Sequence, residues 1–292
     1  MLETLLVALP LLLNPVCSPG ADQDGQTTTH RVDAAQLQKV LRDRRLDFPG
    51  RIEAISALFR GVPWQVSPLG EGPGTSPDPD PTFRLDAVDC TTLVEQTLAL
   101  ALSVDLSQAR KWLQRIRYTD GRVDYLARKH FPMAQWVPGN QRAGFLRDIT
   151  RQVGGSVVVE ARKRLGPEVW HARPPGKPWP LLNDDQVPRG VFSLPVIPLP
   201  QARKLVASIP RGSILLVVRA DRADMPIRVT HLGLVVGSAR GPVLRHAARN
   251  LFGRVVDEPL AQFLKRISAY RKWPITGINL QQPLDLRGKE KW

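Results

Sequence analysis

Cys90 is the residue of this sequence best placed to act as a nucleophile. It directly precedes a long apolar run, residues 93–102, that predicts a helix starting near the cysteine. Unpaired backbone N–H groups in the first turn of a helix carry partial positive charge, which favours a thiolate, the nucleophilic form of cysteine. The only other cysteine, Cys17, lies in a predicted export signal. The single remaining thiol is therefore either a small core residue or a reactive group.

Two of the five histidines lie in consecutive predicted strands. His231 is near the start of the strand 230–236, and His246 lies in the strand 243–248. If the residues between the strands form a hairpin loop, Gly233 lies opposite His246 and His231 is its diagonal neighbour on the same face. A slip of one residue would place the two rings on opposite faces, so the pairing depends on the register.

A cysteine and two histidines in this arrangement predict nucleophilic acyl transfer. The Cys90 thiolate attacks a carbonyl carbon, and His231 pairs with it as imidazolium before protonating the leaving nitrogen. His246 hydrogen-bonds the far ring nitrogen of His231 and fixes its tautomer. The backbone N–H of Cys90 is a natural donor to the oxyanion, and no metal or other cofactor is needed.

Composition sets the outer limits on function. The chain has 292 residues, of which 42% are hydrophobic, so it can bury a substantial core, and its 27 prolines and 22 glycines predict long loops. A net charge of +14 favours polyanionic partners such as nucleic acid, anionic lipid or cell-wall polymers, although arginine-rich codon usage explains it equally well. No nucleic-acid partner is expected, because the sequence has no zinc-finger spacing, phosphate-binding glycine loop or RNA-binding aromatic signature.

The first 31 residues resemble an export signal followed by a linker. Residues 5–13 are apolar but too few to span a bilayer, which fits a signal peptide over residues 1–20 and a polar linker over 21–31. Lipid attachment at Cys17 is not expected, because Asn14-Pro15-Val16 lacks the small residues that processing needs. No later segment is long and apolar enough for a stable membrane span. The protein is therefore predicted to be exported, to the periplasm or outside the cell.

The rest of the chain, residues 32–292, is predicted to be a single α+β domain. Helical spacing covers residues 32–46, 51–59, 106–116 and 260–267, and residues 149–161 suggest a strand followed by a short helix or hairpin. Apolar, β-branched runs at 214–219, 230–236, 243–248 and 275–280 predict a small antiparallel sheet. A proline-rich insertion near 62–81 predicts a loop, and a second insertion near 173–200 is either disordered or forms a wall of a binding site.

In this order, the motifs resemble the papain-like cell-wall cysteine peptidases and amidases of the NlpC type, and most of all the N-acetylmuramoyl-L-alanine amidase-like branch. The resemblance covers roughly residues 61–280. The matching pieces are Gly61-Val62-Pro63-Trp64, the nucleophile segment 85–95, Ile116-Arg117-Tyr118 with Gly121, the stretch from Arg128 to Asn140, Thr230-His231-Leu232-Gly233 and Leu244-Arg245-His246-Ala247.

The resemblance implies a papain-like fold, with the nucleophile at a helix N-terminus packed on the antiparallel sheet. It implies Cys90 as nucleophile, His231 as base and His246 as the polar third residue, acting on the amide between N-acetylmuramic acid and L-alanine in peptidoglycan or muropeptide fragments. The predicted substrate-binding set is Asp89, Thr91, Trp64, His130 and Trp136. Alternatives stay open: Asp89 as a helix cap, and the aromatic residues and His130 as ordinary packing.

Some positions depart from the family pattern. Relatives usually carry Gly-Asp ahead of the strand before the catalytic histidine and serine after His-Ala, whereas this chain has Gly212-Ser213 and Ala248. We expect these changes to affect substrate preference rather than chemistry.

Three other functions stay open beside the amidase. One is a D-glutamyl-diaminopimelate endopeptidase, as in related branches, and another is a catalytically silent cell-wall-binding protein. The third is a metal-dependent amidase using His130, His231 and His246, which would leave Cys90 idle and lacks an acidic or cysteine ligand at metal spacing.

Overall fold

The computed structural model describes residues 30–176 and 179–289. The predicted signal peptide, Cys17 and all but the end of the linker lie outside the described residues. Within the described part of the chain, no helix is long and apolar enough to cross a membrane.

The first four helices each begin directly after an aspartate. The carboxylates of Asp33, Asp47, Asp89 and Asp105 accept hydrogen bonds from backbone N–H groups of the first turn that have no partner within the helix. Such a cap stabilises a helix by about 1 kcal/mol. The helices are α1 (Ala34–Arg42), α2 (Phe48–Leu58), α3 (Cys90–Ala101), α4 (Leu106–Arg117), α5 (Val137–Arg142), α6 (Thr150–Gly154), α7 (Pro167–His171), α8 (Leu199–Ala202) and α9 (Leu260–Ile267).

The strands form one antiparallel sheet that is larger than the sequence predicts. They are β1 (Leu146–Asp148), β2 (Val159–Leu165), β3 (Gly190–Pro198), β4 (Ile214–Arg219), β5 (Val229–Val236), β6 (Val243–Ala248), β7 (Arg254–Pro259) and β8 (Ile275–Pro283). Their order across the sheet is β2-β3-β8-β4-β5-β6-β7, and β1 pairs with β8. The α+β prediction is confirmed.

Each face of the sheet is covered by a separate apolar core. On one face, Leu216 of β4 and Leu232 of β5 pack with the buried residues of α1 to α4. On the other face, Val217 of β4 packs with Phe263 and Leu264 of α9. Alternate residues of one strand thus face different cores, as the two-residue period of a strand requires. Helix α3 is buried along nearly its whole length, which fixes its first residue against β5.

Two sequence-based predictions about the elements are wrong. About a third of the proline-rich segment 173–200 is strand β3, which pairs with β2 in a continuous register that includes Pro195 opposite Glu160. Proline has no N–H group to donate to a neighbouring strand. A segment with several prolines therefore does not look like a strand when only the sequence is read. Residues 149–161 form helix α6 first and then enter β2, which is the reverse of the predicted order.

The proline-rich segment 62–81 is folded back against the helices. Leu69 is fully buried, and Glu71 is 7% exposed. Arg128 donates to Glu71 Oε1 at 2.9 Å and to Asp78 Oδ2 at 2.9 Å, while the Tyr118 hydroxyl donates to Glu71 Oε1 at 3.0 Å. This buried charge network ties the segment to the stretch that follows α4.

Candidate active site

Cys90 is the first residue of α3, as predicted, and its thiol lines a cleft. The Asp89 side chain accepts from the Thr92 backbone N–H at 2.7 Å, and the Thr92 hydroxyl accepts from the Asp89 N–H at 2.9 Å. These reciprocal bonds form a capping box, which fixes the first turn of the helix. The cysteine side chain is partly buried and is free of any disulfide.

The expectation that the helix N-terminus favours the thiolate is wrong for this structure. Burial, followed by the negative charge of Asp89, raises the pKa of Cys90 to about 12. Hydrogen bonds from the backbone of Leu232 and Cys90 and from Thr91 act in the opposite direction but are outweighed. The free energy needed to remove a thiolate from water exceeds the electrostatic stabilisation that a helix N-terminus provides. Cys90 therefore rests as a neutral thiol.

The predicted hairpin brings His231 and His246 together. Val236 pairs with Val243 and Leu234 with Arg245, which is the predicted register. His231 Nε2 lies 2.9 Å from His246 Nδ1, a hydrogen-bond distance. A Cβ atom at Gly233 would lie 2.9 Å from the His246 Cβ, so only glycine leaves room for the ring there.

A β-bulge immediately precedes His231. Val217 of β4 pairs with His231, but Val218 pairs with Val229, so Thr230 is an extra residue in β5. Because of this extra residue, the side chains of both Thr230 and His231 reach the cleft. Bulges are common beside active sites because they redirect side chains in this way.

Two residues that the sequence did not identify continue the chain of contacts behind His246. Glu258 Oε2 lies 3.3 Å from His246 Nε2, and Arg266 donates to the two Glu258 carboxylate oxygens at 2.8 and 2.6 Å. Although burial opposes it, the hydrogen bonds from Arg266 and the nearby His246 ring lower the pKa of Glu258 to about 2. Glu258 is therefore an anion at any physiological pH, held behind the two histidines.

The contacts select one tautomer for each ring. A carboxylate only accepts hydrogen bonds, so Glu258 favours the proton on His246 Nε2. His246 Nδ1 is then an acceptor, and the His231 Nε2 that faces it carries a proton and donates. His231 Nδ1 is left unprotonated, as a base requires. Burial and the neighbouring His246 lower the pKa of His231 to about 3, so the ring rests in this neutral form.

The cleft that holds these side chains has a volume of about 390 Å³. Cys90, His231 and His246 all line it, so one substrate bound in the cleft could contact all three side chains. Trp64, one of the predicted substrate-binding residues, also lines it, and the Arg249 guanidinium lies 5.1 Å from the Trp64 ring. Phe263 of α9 packs against the His246 ring, with ring centres 5.4 Å apart, and steadies it.

The other predicted substrate contacts differ in their placement. Asp89 and Thr91 flank Cys90 in the chain, but the described contacts of Asp89 are those of a helix cap. His130 and Trp136 do not line the cleft, and their predicted contact with substrate stays a prediction. His130 Nε2 bonds the Tyr125 carbonyl at 2.7 Å, and the buried Trp136 donates to Glu95 Oε1 at 2.8 Å.

The alternative metal site also lacks geometric support. His130 lies apart from the cleft that holds His231 and His246. Among the residues that the structure describes, no three His, Cys, Asp or Glu side chains are grouped so that they could hold a metal ion.

Comparisons with known proteins agree with this architecture. The structure is similar to that of a Legionella pneumophila protein of the DUF1460 family, with a TM-score of 0.74 and 26% identity over 86% of this chain and 94% of that one. It is also similar to an N-acetylmuramoyl-L-alanine amidase from Bacteroides uniformis, with a TM-score of 0.61 and 24% identity over 85% and 99% of the two chains. A Bacteroides fragilis protein described as a xylanase has the same TM-score, 0.61, at 24% identity over 78% and 99%. At these identities the last two likenesses establish the fold alone.

The sequence itself gives the family. A comparison with curated proteins found no match. The model of the AmiA-like family, described as N-acetylmuramoyl-L-alanine amidase-like, matches residues 54–270. This stretch is well over half of the chain and contains Cys90, both histidines and Glu258. The protein therefore belongs to the N-acetylmuramoyl-L-alanine amidase-like family.

Proposed function

We propose that this protein is an exported, papain-like cysteine amidase of the NlpC type that cleaves the amide between N-acetylmuramic acid and L-alanine in peptidoglycan. The observation that carries the proposal is the convergence of Cys90, His231 and His246 on one cleft, with His231 Nε2 hydrogen-bonded to His246. The family supplies the substrate class, and the arrangement of the side chains supplies the mechanism.

The first half-reaction transfers the acyl group to the cysteine. As Cys90 Sγ attacks the carbonyl carbon, its proton passes to His231 Nδ1, so the thiolate exists only as the bond forms. The backbone N–H of Cys90 is the proposed donor to the developing oxyanion. His231 then gives the proton to the L-alanine nitrogen, and the stem peptide leaves while the muramoyl group remains as a thioester.

The second half-reaction hydrolyses the thioester. His231 Nδ1 takes a proton from water, the hydroxide oxygen attacks the thioester carbon, and the sulfur leaves and recovers the proton. Glu258 stabilises the positive charge that passes through the two imidazoles, because its carboxylate lies 3.3 Å from His246 Nε2. The full set of groups argues against a protein that only binds the cell wall.

One contact favours the amidase over the D-glutamyl-diaminopimelate endopeptidase. The resemblance to the NlpC-type enzymes implies that relatives in those branches use the Asp before the cysteine to hold the free amine of a stem peptide, and Asp89 occupies that place here. Here the Asp89 Oδ1 already accepts from the Thr92 N–H at 2.7 Å and from the Thr92 hydroxyl at 2.9 Å. A carboxylate engaged in capping its helix is a poorer partner for a substrate amine.

Product analysis tests the proposal. The wild-type protein is expected to release from purified muropeptides a free stem peptide that begins at L-alanine, detected by mass spectrometry. Cleavage between D-glutamate and diaminopimelate would keep the mechanism but move the protein to the endopeptidase branch. Binding to sacculi without any cleavage would contradict the proposed activity.

The neutral resting state predicts an unusually flat pH profile. Acid removes activity only when His231 becomes protonated, and its pKa is lowered to about 3; loss of the Cys90 proton requires a pH near its raised pKa of about 12. We therefore expect kcat/KM to stay level from about pH 5 to about pH 9, measured at constant ionic strength. A fall centred near pH 6.5, the ordinary pKa of histidine, would contradict the neutral pair.

A further inference from the structure

Arg219 is a cation in the cleft that no carboxylate of the described residues neutralises. It is the last residue of β4 and forms no ion pair with any carboxylate of residues 30–176 or 179–289. Its polar partners are uncharged: Nε donates to the Thr230 hydroxyl at 2.9 Å, and a terminal nitrogen donates to the Trp273 carbonyl. Burial lowers the pKa of Arg219, since desolvation here is not offset by a nearby anion. An uncompensated charge of this kind is costly to the fold.

The side chain is held as a fixed planar fork. The Arg219 guanidinium lies 5.2 Å from the Tyr270 ring centre and 5.0 Å from the Trp273 ring centre. Its bond to Thr230 uses the extra residue of the β-bulge, which directly precedes His231. Stacking and the hydrogen bond fix the orientation before any ligand arrives, and a fixed guanidinium is suited to bind a carboxylate through two parallel hydrogen bonds.

The other two arginines of the cleft differ in this respect. Arg266 already holds both oxygens of Glu258. Arg249 is exposed, follows β6 and lies over the Trp64 ring. Since β5 lies between β4 and β6, Arg219 and Arg249 are on different sides of the strand that carries His231.

The position of Arg219 relative to His231 sets the distance of its ligand from the reaction. Val217 pairs with His231, and Arg219 is two residues further along β4, a separation of roughly 7 Å. In a muramoyl peptide the lactyl carboxyl is consumed in the scissile amide, so the nearest carboxylate is the α-carboxylate of D-glutamate. It is one residue beyond L-alanine, roughly 6 Å from the scissile nitrogen in an extended peptide.

We propose that Arg219 binds the α-carboxylate of the second stem-peptide residue, D-glutamate, and so selects peptides in which this group is free rather than amidated. This inference rests on the proposed amidase function and deepens it. The assignment also fixes how the muropeptide lies in the cleft: the leaving peptide lies on the β4 side of His231, and the glycan lies on the β6 side.

The test compares two muropeptides that differ only at this carboxyl, one with D-glutamate and one with D-isoglutamine. Wild type is expected to prefer the free carboxylate by about 10- to 100-fold in kcat/KM, the range for a hydrogen-bonded charge. Arg219→Gln is expected to reduce cleavage of the D-glutamate substrate to the rate for D-isoglutamine, and to change the latter rate by less than about threefold. Arg219→Lys keeps the charge and is expected to retain part of the preference.

Arg249→Gln is the matched control, because it removes the same charge from the same cleft on the other side of β5. It is expected to keep the wild-type preference. Equal wild-type rates on the two substrates would overturn the assignment while leaving the amidase function intact, and so would a preference kept in a folded Arg219→Gln variant, whatever the result for Arg249→Gln. No cleavage of either substrate by wild type would contradict the amidase function itself. The wild-type comparison needs no variant to fold.

Discussion

Replacing Cys90 with alanine is expected to reduce the release of stem peptide from muropeptides by about 10⁴-fold. Every covalent step passes through the Cys90 sulfur, and no other thiol is present among the described residues. What remains should be the contribution of binding and of the oxyanion donor alone. The measurement is the initial rate of peptide release, followed by mass spectrometry.

Cys90→Ser controls for shape, since it replaces the thiol by a hydroxyl of similar size at the start of α3. The Asp89 cap does not depend on the sulfur, so both variants should keep the thermal midpoint of the wild type and its binding to sacculi. A Cys90→Ala variant that folds and binds but still releases peptide at more than a tenth of the wild-type rate would show that Cys90 is not the nucleophile.

His231→Gln is expected to lower kcat by about 10³-fold while changing KM little, because a proton must leave the thiol as sulfur attacks. With the pKa of Cys90 raised to about 12, almost no thiolate forms at neutral pH without a base. The glutamine can still reach His246 but cannot take up a proton. Raising the pH toward 10 should partly restore this variant, because more thiolate then forms unaided.

Glu258→Gln separates the base from the group that orients it. Glu258 does not line the cleft and acts through His246, so we expect a smaller loss, about 10- to 100-fold in kcat. The pH profile should stay level between about pH 5 and about pH 9, because the Glu258 charge raises the pKa of His231 and its loss can only lower that pKa further. Asp257→Asn is the matched control on the same strand, because Asp257 pairs with Arg245 rather than with either histidine. A loss in Glu258→Gln as large as in His231→Gln would contradict this division of roles.

The features that could be predicted from the sequence are those that depend on residues close together in the chain. The β5–β6 hairpin follows from two β-branched runs separated by glycine and proline, and its register places His231 beside His246 because side chains alternate. The position of Cys90 at a helix start follows from Asp89 and the apolar run after it. These features need only neighbours in the chain.

The missed features depend on contacts between distant segments. Glu258 and Arg266 meet behind His246 only after β7 pairs with β6, and the polar sequence of β7 gives no strand signal. Trp136 and His130 lie in an irregular stretch where aromatic spacing cannot distinguish a core from a cleft. The direction of the Cys90 pKa shift was predicted wrongly for the same reason, because burial is set by the whole fold.

The network around Arg128 has a consequence for how this scaffold can be modified. Glu71 and Asp78 belong to the proline-rich segment 62–81, and Arg128 belongs to the stretch after α4. Because ion pairs join these two segments, they must be exchanged together in any engineered chimera. Removing one partner leaves the other charge buried, which typically costs about 3–5 kcal/mol. A chimera that trims or exchanges residues 62–81 without also exchanging Arg128 and Tyr118 would inherit that penalty, whereas one that moves them together would not.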